Sequence, residues 1–172
     1  MATQPSSRPR LQRLLVAFTD IDSFWALAKK LGDDATAFAF MDGYTRVVVK
    51  ALSDRARVVK WMGDEYIAVA EDPDSGVRAL LDAKAAGEAY LASSGFPTTI
   101  RMQAHVGEVA CGDFGPEGLF DLYGEAVNRA ASVMRERKAG AFALSPEAFR
   151  SLKSETRKLF RRQTPAILYL KR

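Results

Sequence analysis

Asp20 closes the apolar run "LLVAFTD", and Asp64 follows Gly63 in "VVKWMGDEYIAV", so two carboxylates stand at the ends of segments that otherwise read as buried strands. Gly63-Asp64 between runs containing Val58, Val59, Ile67 and Val69 is hairpin-turn chemistry, which by itself explains a solvated Asp64. A second carboxylate beside it changes the reading. If the strand of Asp20 and the hairpin are neighbours, the two acids repel unless a cation lies between them, and oxygen donors of this kind suit Mg²⁺ or Mn²⁺. "DIDSF" then runs from Asp20 straight into helical spacing, which places the amides of residues 21–24, those of Ser23 and Phe24 among them, to cradle phosphate oxygens at a helix start. Divalent cations beside an anion-binding helix start are equipment for phosphoryl transfer.

The elements that must position these residues alternate between two periods. "RLLVAFTDI" suits a central buried strand, and the segment after it has helical spacing broken at Gly32-Asp33-Asp34. After the hairpin, "PDSGVRALLDAKAAGEAYLASSG" reads as a helix capped by Ser75 and ending near Gly95. "TTIRMQAHVGEVACGD" predicts two strands around Gly107, "GEAVNRAASVMRERKAG" a helix ending at Gly140, and "AFALS" and "ILYL" two more strands. The order β-α-α-β-β-α-β-β-α contains the ferredoxin-like βαββαβ pattern, an α+β sheet with helices on one face. In that arrangement the first strand and the hairpin share the centre of the sheet, so Asp20 is expected beside Asp64.

Composition sets the limits. The chain has 172 residues, which predicts a single domain at 11–172 after a short disordered tail, 1–10, whose "MATQPSSRPR" lacks the apolar core of a signal peptide. With 48% hydrophobic and 27% charged residues and no apolar run of bilayer length, neither membrane insertion nor secretion is indicated. The single cysteine, Cys111, rules out an internal disulfide and fits a reducing cytoplasm, the expected location. The net charge of +4 gathers in "TRKLFRRQ" and the terminal "LKR", but with Phe160 as the sole interleaved aromatic and no recognisable module, nucleic acid is not the expected partner. A small polyanion such as a triphosphate needs only two or three such cations.

The ordered motifs "FTDIDSF", "KWMGDEY", "AHVGEVACGDFG" and "FDLYGEAVNRAAS" make the chain, from about Leu14 to Leu144, resemble the class III nucleotidyl cyclases. The resemblance implies a head-to-tail homodimer of ferredoxin-like domains with active sites at the interface, cyclising a nucleoside triphosphate to a 3′,5′-cyclic nucleotide and pyrophosphate. It implies that Asp20 and Asp64, with the carbonyl of Ile21, hold two divalent cations, Mn²⁺ or Mg²⁺. Lys60 and Asp121 match the family's base-contacting pair and Asn128 its ribose-orienting asparagine, all three supplied by the opposite subunit. The pattern departs in two places. Where the family carries a transition-state arginine, four residues after the asparagine, this chain has Ser132; Arg135, one turn farther on the same helical face, is the expected replacement. The family's phosphate-binding lysine has no clear match, and Lys158, Arg161 and Arg162 are the candidates. Diguanylate cyclases share pieces of "DIDSF" and "GDEY", but Met62 stands where they carry a second Gly, and the Asn-Asp pair of their first helix is missing from "WALAKKLGDD".

The base is the open choice. An ammonium donor and a carboxylate acceptor can serve adenine, cytosine or uracil. Trp61, Phe120 and Tyr123 are bulky neighbours expected to shorten the pocket for a pyrimidine, and a chain this short resembles the freestanding pyrimidine cyclases of antiphage Pycsar systems. The expectation is therefore UTP or CTP converted to cyclic UMP or cyclic CMP, read by a separate effector protein. Cyclic AMP from ATP is the second reading, and a degenerate nucleotide-binding or dimerisation module the third. His105 and Cys111 read as packed core residues.

Overall fold

The computed structural model describes residues 8–132, 139–163 and 168–171. Elements run β1 (Arg10–Ile21), α1 (Phe24–Leu31), α2 (Asp34–Leu52), β2 (Arg57–Met62), β3 (Glu65–Ala70), α3 (Pro73–Ser93), β4 (Ile100–Phe114), β5 (Leu119–Tyr123), α4 (Glu125–Ser132), β6 (Phe142–Leu144), α5 (Pro146–Arg150), α6 (Ser154–Arg157), β7 (Phe160–Gln163) and β8 (Leu168–Lys171). The sheet order is β2-β3-β1-β4-β6-β8-β7, with β5 paired to β4. Its first four strands are antiparallel neighbours, which is the expected ferredoxin-like α+β core.

β1 is the axis of this sheet. Leu14, Leu15, Val16 and Ala17 are at most 3% exposed, so both faces of the strand are covered, and each large side chain contributes roughly 1.5–3 kcal/mol of burial. Alternation sorts them: Leu15 and Ala17 join Tyr44 and Val48 of α2 and Val77 and Leu80 of α3, whereas Leu14 and Val16 join Val109, Leu122 and, from α4, Ala126 and Ala130. Helices thus lie on both faces, not on one as the element order suggests, because α4 crosses back over β1 and β4 on the side away from α2 and α3.

Local chemistry explains the boundaries. Gly32 closes α1 at φ 87°, and the Asp33 carboxylate accepts the Thr36 amide at 2.9 Å to start α2. α3 begins earlier than its sequence suggests: Asp72, not Ser75, is the cap, accepting the amides of Asp74 and Ser75 at 2.8 and 3.0 Å, with Pro73 in the first turn. Between β2 and β3 the register Met62↔Glu65 leaves Gly63, at φ 67°, and Asp64 as the two turn residues.

Two strands around Gly107 are not found. β4 runs unbroken from Ile100 to Phe114, and the second strand of this region is instead "LFDLY" of β5. Gly107 serves packing rather than a turn: a Cβ there would stand 2.7 Å from the Cβ of Ala126, so its hydrogen lets α4 approach the sheet. Gly107→Ala is therefore expected to destabilise the protein by about 1–3 kcal/mol in urea or thermal unfolding, with partial recovery in Gly107→Ala/Ala126→Gly. An unchanged midpoint would show that α4 does not depend on this contact.

Candidate functional site

β1 and the β2–β3 hairpin bring Asp20 and Asp64 together. Asp64 sits at the hairpin tip, and its carboxyl is pushed up to about 7, first by burial and then by a hydrogen bond to Asp20 and the charge beside it. Glu65 is raised as well, by burial and the Asp20 charge. Tyr44 and Tyr66 are fully buried, and burial raises both phenols far above the solvent value, Tyr44 further through the Asp64 and Asp20 charges near it. Asp20, Asp64, Ile21, Ser23, Phe24 and Lys29 line a cavity of about 570 Å³.

Asp20 does have a cationic partner, which the sequence did not disclose. Arg101 lies opposite Asp20 in the β1–β4 register, and its Nη2 donates to Asp20 Oδ2, while Nε lies 2.6 Å from Asp22 Oδ1. Asp22 is itself fixed by Thr99 Oγ1 at 2.5 Å and the Gly140 amide at 2.6 Å. Lys29 was also missed. Its ammonium stands 3.8 Å from the Trp25 ring centroid, one turn earlier on α1. No spacing rule marks either cation, because their places depend on strand register and on which way α1 faces.

The helix start is narrower than expected. The Asp22 amide is taken by Thr99 O at 2.9 Å, so it does not face the carboxylates. Ser23 lies in the left-handed region at φ 59°, and α1 begins at Phe24 with no side-chain cap, which leaves the Ser23 and Phe24 end of the loop as the part that can meet an anion.

The donor set fits a hard divalent cation. Two carboxylates crowded into mutual contact favour a charge between them, and Mg²⁺-type ions are commonly held by one or two carboxylates plus substrate phosphates. Among the described residues, no group of three His, Cys, Asp or Glu forms a complete cage.

Lys60 and Asp121 meet elsewhere. A bulge between Val58 and Lys60 resets the edge strand, and Lys60 Nζ pairs with Asp121 Oδ2 at 2.7 Å; Asp121 Oδ1 accepts the Leu122 amide at 2.9 Å. They line a second cavity, about 560 Å³, that shares no residue with the first. Of the three aromatic neighbours, Phe120 alone lines it, with the Arg57 guanidinium 3.7 Å above its ring. Trp61 turns to the opposite side and packs on Tyr66, rings 4.8 Å apart, and Tyr123 packs on Phe114 at 5.2 Å, so neither shortens the pocket.

Asn128 is exposed on α4 and lines neither cavity. Ser132 ends the described part of α4, its hydroxyl donating to Arg129 O at 2.9 Å, and Arg135 lies outside the described residues. Lys158 pairs with Glu155 at 2.8 Å on the surface, and Arg161 and Arg162 are exposed on β7; none of the three lines either cavity. His105 and Cys111 are core residues, at 4% exposure each, with His105 Nδ1 2.9 Å from Ser145 Oγ; burial lowers the imidazole's pKa.

Residues 7–168 match the family model of the adenylate and guanylate cyclase catalytic domain. No curated protein matches the chain in sequence. Among solved structures, the adenylyl cyclase CyaB from P. aeruginosa is similar at TM-score 0.73 and 16% identity, over 96% of this chain and 95% of that one. The guanylyl cyclase Cya2 is similar at TM-score 0.76 and 14% identity, over 96% and 93%. The catalytic core of a rhodopsin-guanylyl cyclase with converted specificity, in complex with ATPαS, is similar at TM-score 0.72 and 21% identity, over 95% and 97%. At these identities the structural likeness concerns the fold.

The raised Asp64 carboxyl has a stability consequence. A folded pKa of about 7 against an unfolded value near 3.8 means that the metal-free fold is penalised once pH rises through that window, and is not penalised below it. Asp64→Asn is expected to raise the Tm of metal-free protein at pH 8 by roughly 2–4 °C, the response to about 1 kcal/mol in a chain of this size, and to raise it less at pH 5. A lower Tm for the variant at pH 8 would contradict the crowding of the two acids.

Proposed function

The chain belongs to the adenylate and guanylate cyclase catalytic domain family and is a nucleotidyl cyclase domain, a phosphorus–oxygen lyase; we propose that two copies complete its site, head to tail, to make a cyclic pyrimidine nucleotide from UTP or CTP. The observation that carries the shared site is its division within one chain. The carboxylate pair and the Lys60–Asp121 pair line separate cavities with no residue in common, and Asn128 lines neither, so one copy holds parts that a single substrate must reach together. The β4–β5 arm beside the second cavity exposes Phe114, Leu119 and Tyr123, at 54, 65 and 57%, an apolar surface that a homodimer would cover.

Asp20, Asp64 and the Ile21 carbonyl would hold two divalent cations, Mn²⁺ or Mg²⁺. Bound there, the cations supply Lewis acidity that lowers the pKa of the ribose 3′-hydroxyl and offsets triphosphate charge. The Ser23 and Phe24 amides donate to phosphate oxygens. From the other copy, Lys60 donates to the base edge, Asp121 accepts from it, and Asn128 orients the ribose so that the 3′-oxygen faces the α-phosphorus in line with the departing pyrophosphate. Arg135 supplies the cation that Ser132 does not.

Phe120, with the Arg57 guanidinium over its ring, is the one of the three expected aromatics on the wall of the Lys60–Asp121 cavity, and it is what supports the pyrimidine reading. The second reading is ATP, since the same donor–acceptor pair serves adenine. A role as second-messenger source in antiphage defence, with a separate effector protein, is proposed on the resemblance to Pycsar cyclases. Among the described residues, no helix is long and apolar enough to cross a membrane.

Incubation with each of the four nucleoside triphosphates and Mn²⁺, with chromatography of products, tests the base: cyclic UMP or cyclic CMP is expected, cyclic AMP alone would select the second reading, and nucleotide binding without product would indicate a degenerate domain. Asp64→Ala and Asn128→Ala are each expected to be inactive, and mixing them to restore part of the activity through heterodimers with one intact site. Well-exchanged mixtures that stay inactive would overturn the shared site. Arg135→Ala is expected to lower kcat by roughly 10²-fold or more with little change in KM, whereas Arg129→Ala is not; equal small effects would remove Arg135 from the mechanism.

A further inference from the structure

We propose that Arg101 is an internal counter-ion of the metal site: its guanidinium competes with divalent cations for Asp20 and withdraws onto Asp22 when they bind. This rests on the reading of Asp20 and Asp64 as metal ligands and assigns them a competitor within the same chain.

The geometry gives the guanidinium two seats. Arg101 faces Asp20 directly across the β1–β4 ladder, and its Nη2 donates to Asp20 Oδ2. Its Nε lies 2.6 Å from Asp22 Oδ1, yet is buried and not aligned into a hydrogen bond there. The second seat is thus close but incompletely used, and swinging off Asp20 would let Nε complete it. Asp22 does not need Arg101 to stay in place. Thr99 Oγ1 and the Gly140 amide fix its Oδ2 at 2.5 and 2.6 Å, and its own carbonyl accepts from Thr98 Oγ1 at 2.6 Å. The Asp22 side chain is 11% exposed and that of Arg101 29%, so the exchange would take place where screening by solvent is incomplete.

The consequence is a coupling between metal and nucleotide. With Arg101 on Asp20, a divalent cation arriving alone must displace a positive charge that is already in place. A triphosphate brings anionic oxygens of its own into the cavity, which offset the displaced guanidinium and add ligands to the cation. Metal is then held weakly by the empty protein and firmly together with substrate, an interaction free energy that must act equally in both directions.

Titration of the full chain with Mn²⁺ alone, read by electron paramagnetic resonance of the free ion, tests this without turnover. Arg101→Gln is expected to bind Mn²⁺ about 10-fold more tightly than the parent protein, as follows from removing a like charge close to the ion in a partly screened site. Arg101→Lys, which keeps the charge, is expected to stay near the parent affinity. Asp22→Asn, which weakens the second seat, is expected to bind Mn²⁺ several-fold more weakly. A residue that merely propped up the site would give the opposite sign in Arg101→Gln, and unchanged or weaker binding in that variant overturns the proposal, as does unchanged binding in Asp22→Asn should Arg101→Gln not fold. Asp64→Asn separates the two levels. If it abolishes Mn²⁺ binding while Arg101→Gln fails to tighten it, only the counter-ion role falls; if it binds like the parent, the metal reading falls and takes this proposal with it.

Discussion

The antiparallel pairing of β1 with β4 is the constraint on which the other features hang. It runs from Arg10↔Cys111 to Ile21↔Ile100, along the whole of β1. Because side chains alternate along a strand, this register decides at once which residues of β1 enter each core and which emerge at its end. A slip of one residue would exchange Leu15 and Ala17 with Leu14 and Val16 between two differently shaped layers, and would turn Asp20 away from Asp64. Coverage on both faces makes such a slip costly, so packing far from the site fixes the site.

Electrostatic crowding is tolerated at the end of that strand because it is partly compensated. Burial and the close approach of Asp20 push the Asp64 carboxyl up to about 7. Arg101 offsets part of this charge, and Asp22, fixed by Thr99 and Gly140, ties the guanidinium to the loop that leads into α1. Asp20, the loop and the start of α1 are therefore tied together through one guanidinium.

The opposite face has a different logic. α4 lies against β1 and β4 through Ala126 and Ala130, side chains small enough to bring the helix close, and Gly107 removes the atom that would hold it off. This approach sets Asn128 on the exposed side of α4. β5, paired with β4 at Gly112↔Asp121, sets Asp121 against Lys60. The described residues of each half of the proposed site are thus set by strand pairing and by the packing of α4.

What the sequence by itself determined were the features carried by local chemistry. The apolar run into Asp20, the Gly63-Asp64 turn, the break at Gly32-Asp33 and the helical spacing after Gly124 each follow from neighbours within a few residues, and together they reached the α+β order, the family resemblance and the pairing of Asp20 with Asp64. The family resemblance, not local chemistry, made Lys60 and Asp121 a base-contacting pair; that they pair with each other came from the structure. Only the tertiary structure decided what depends on register and facing. Arg101 became the partner of Asp20 because of where β4 lies, Trp61 left the pocket because its strand turns that face toward Tyr66, and Gly107 changed from a presumed strand break to a point of helix contact. α4 moved to the second face for the same reason: hydrophobic periodicity states that a helix has an apolar side, but which layer that side meets is fixed by the long-range pairing of strands, and no local pattern carries it.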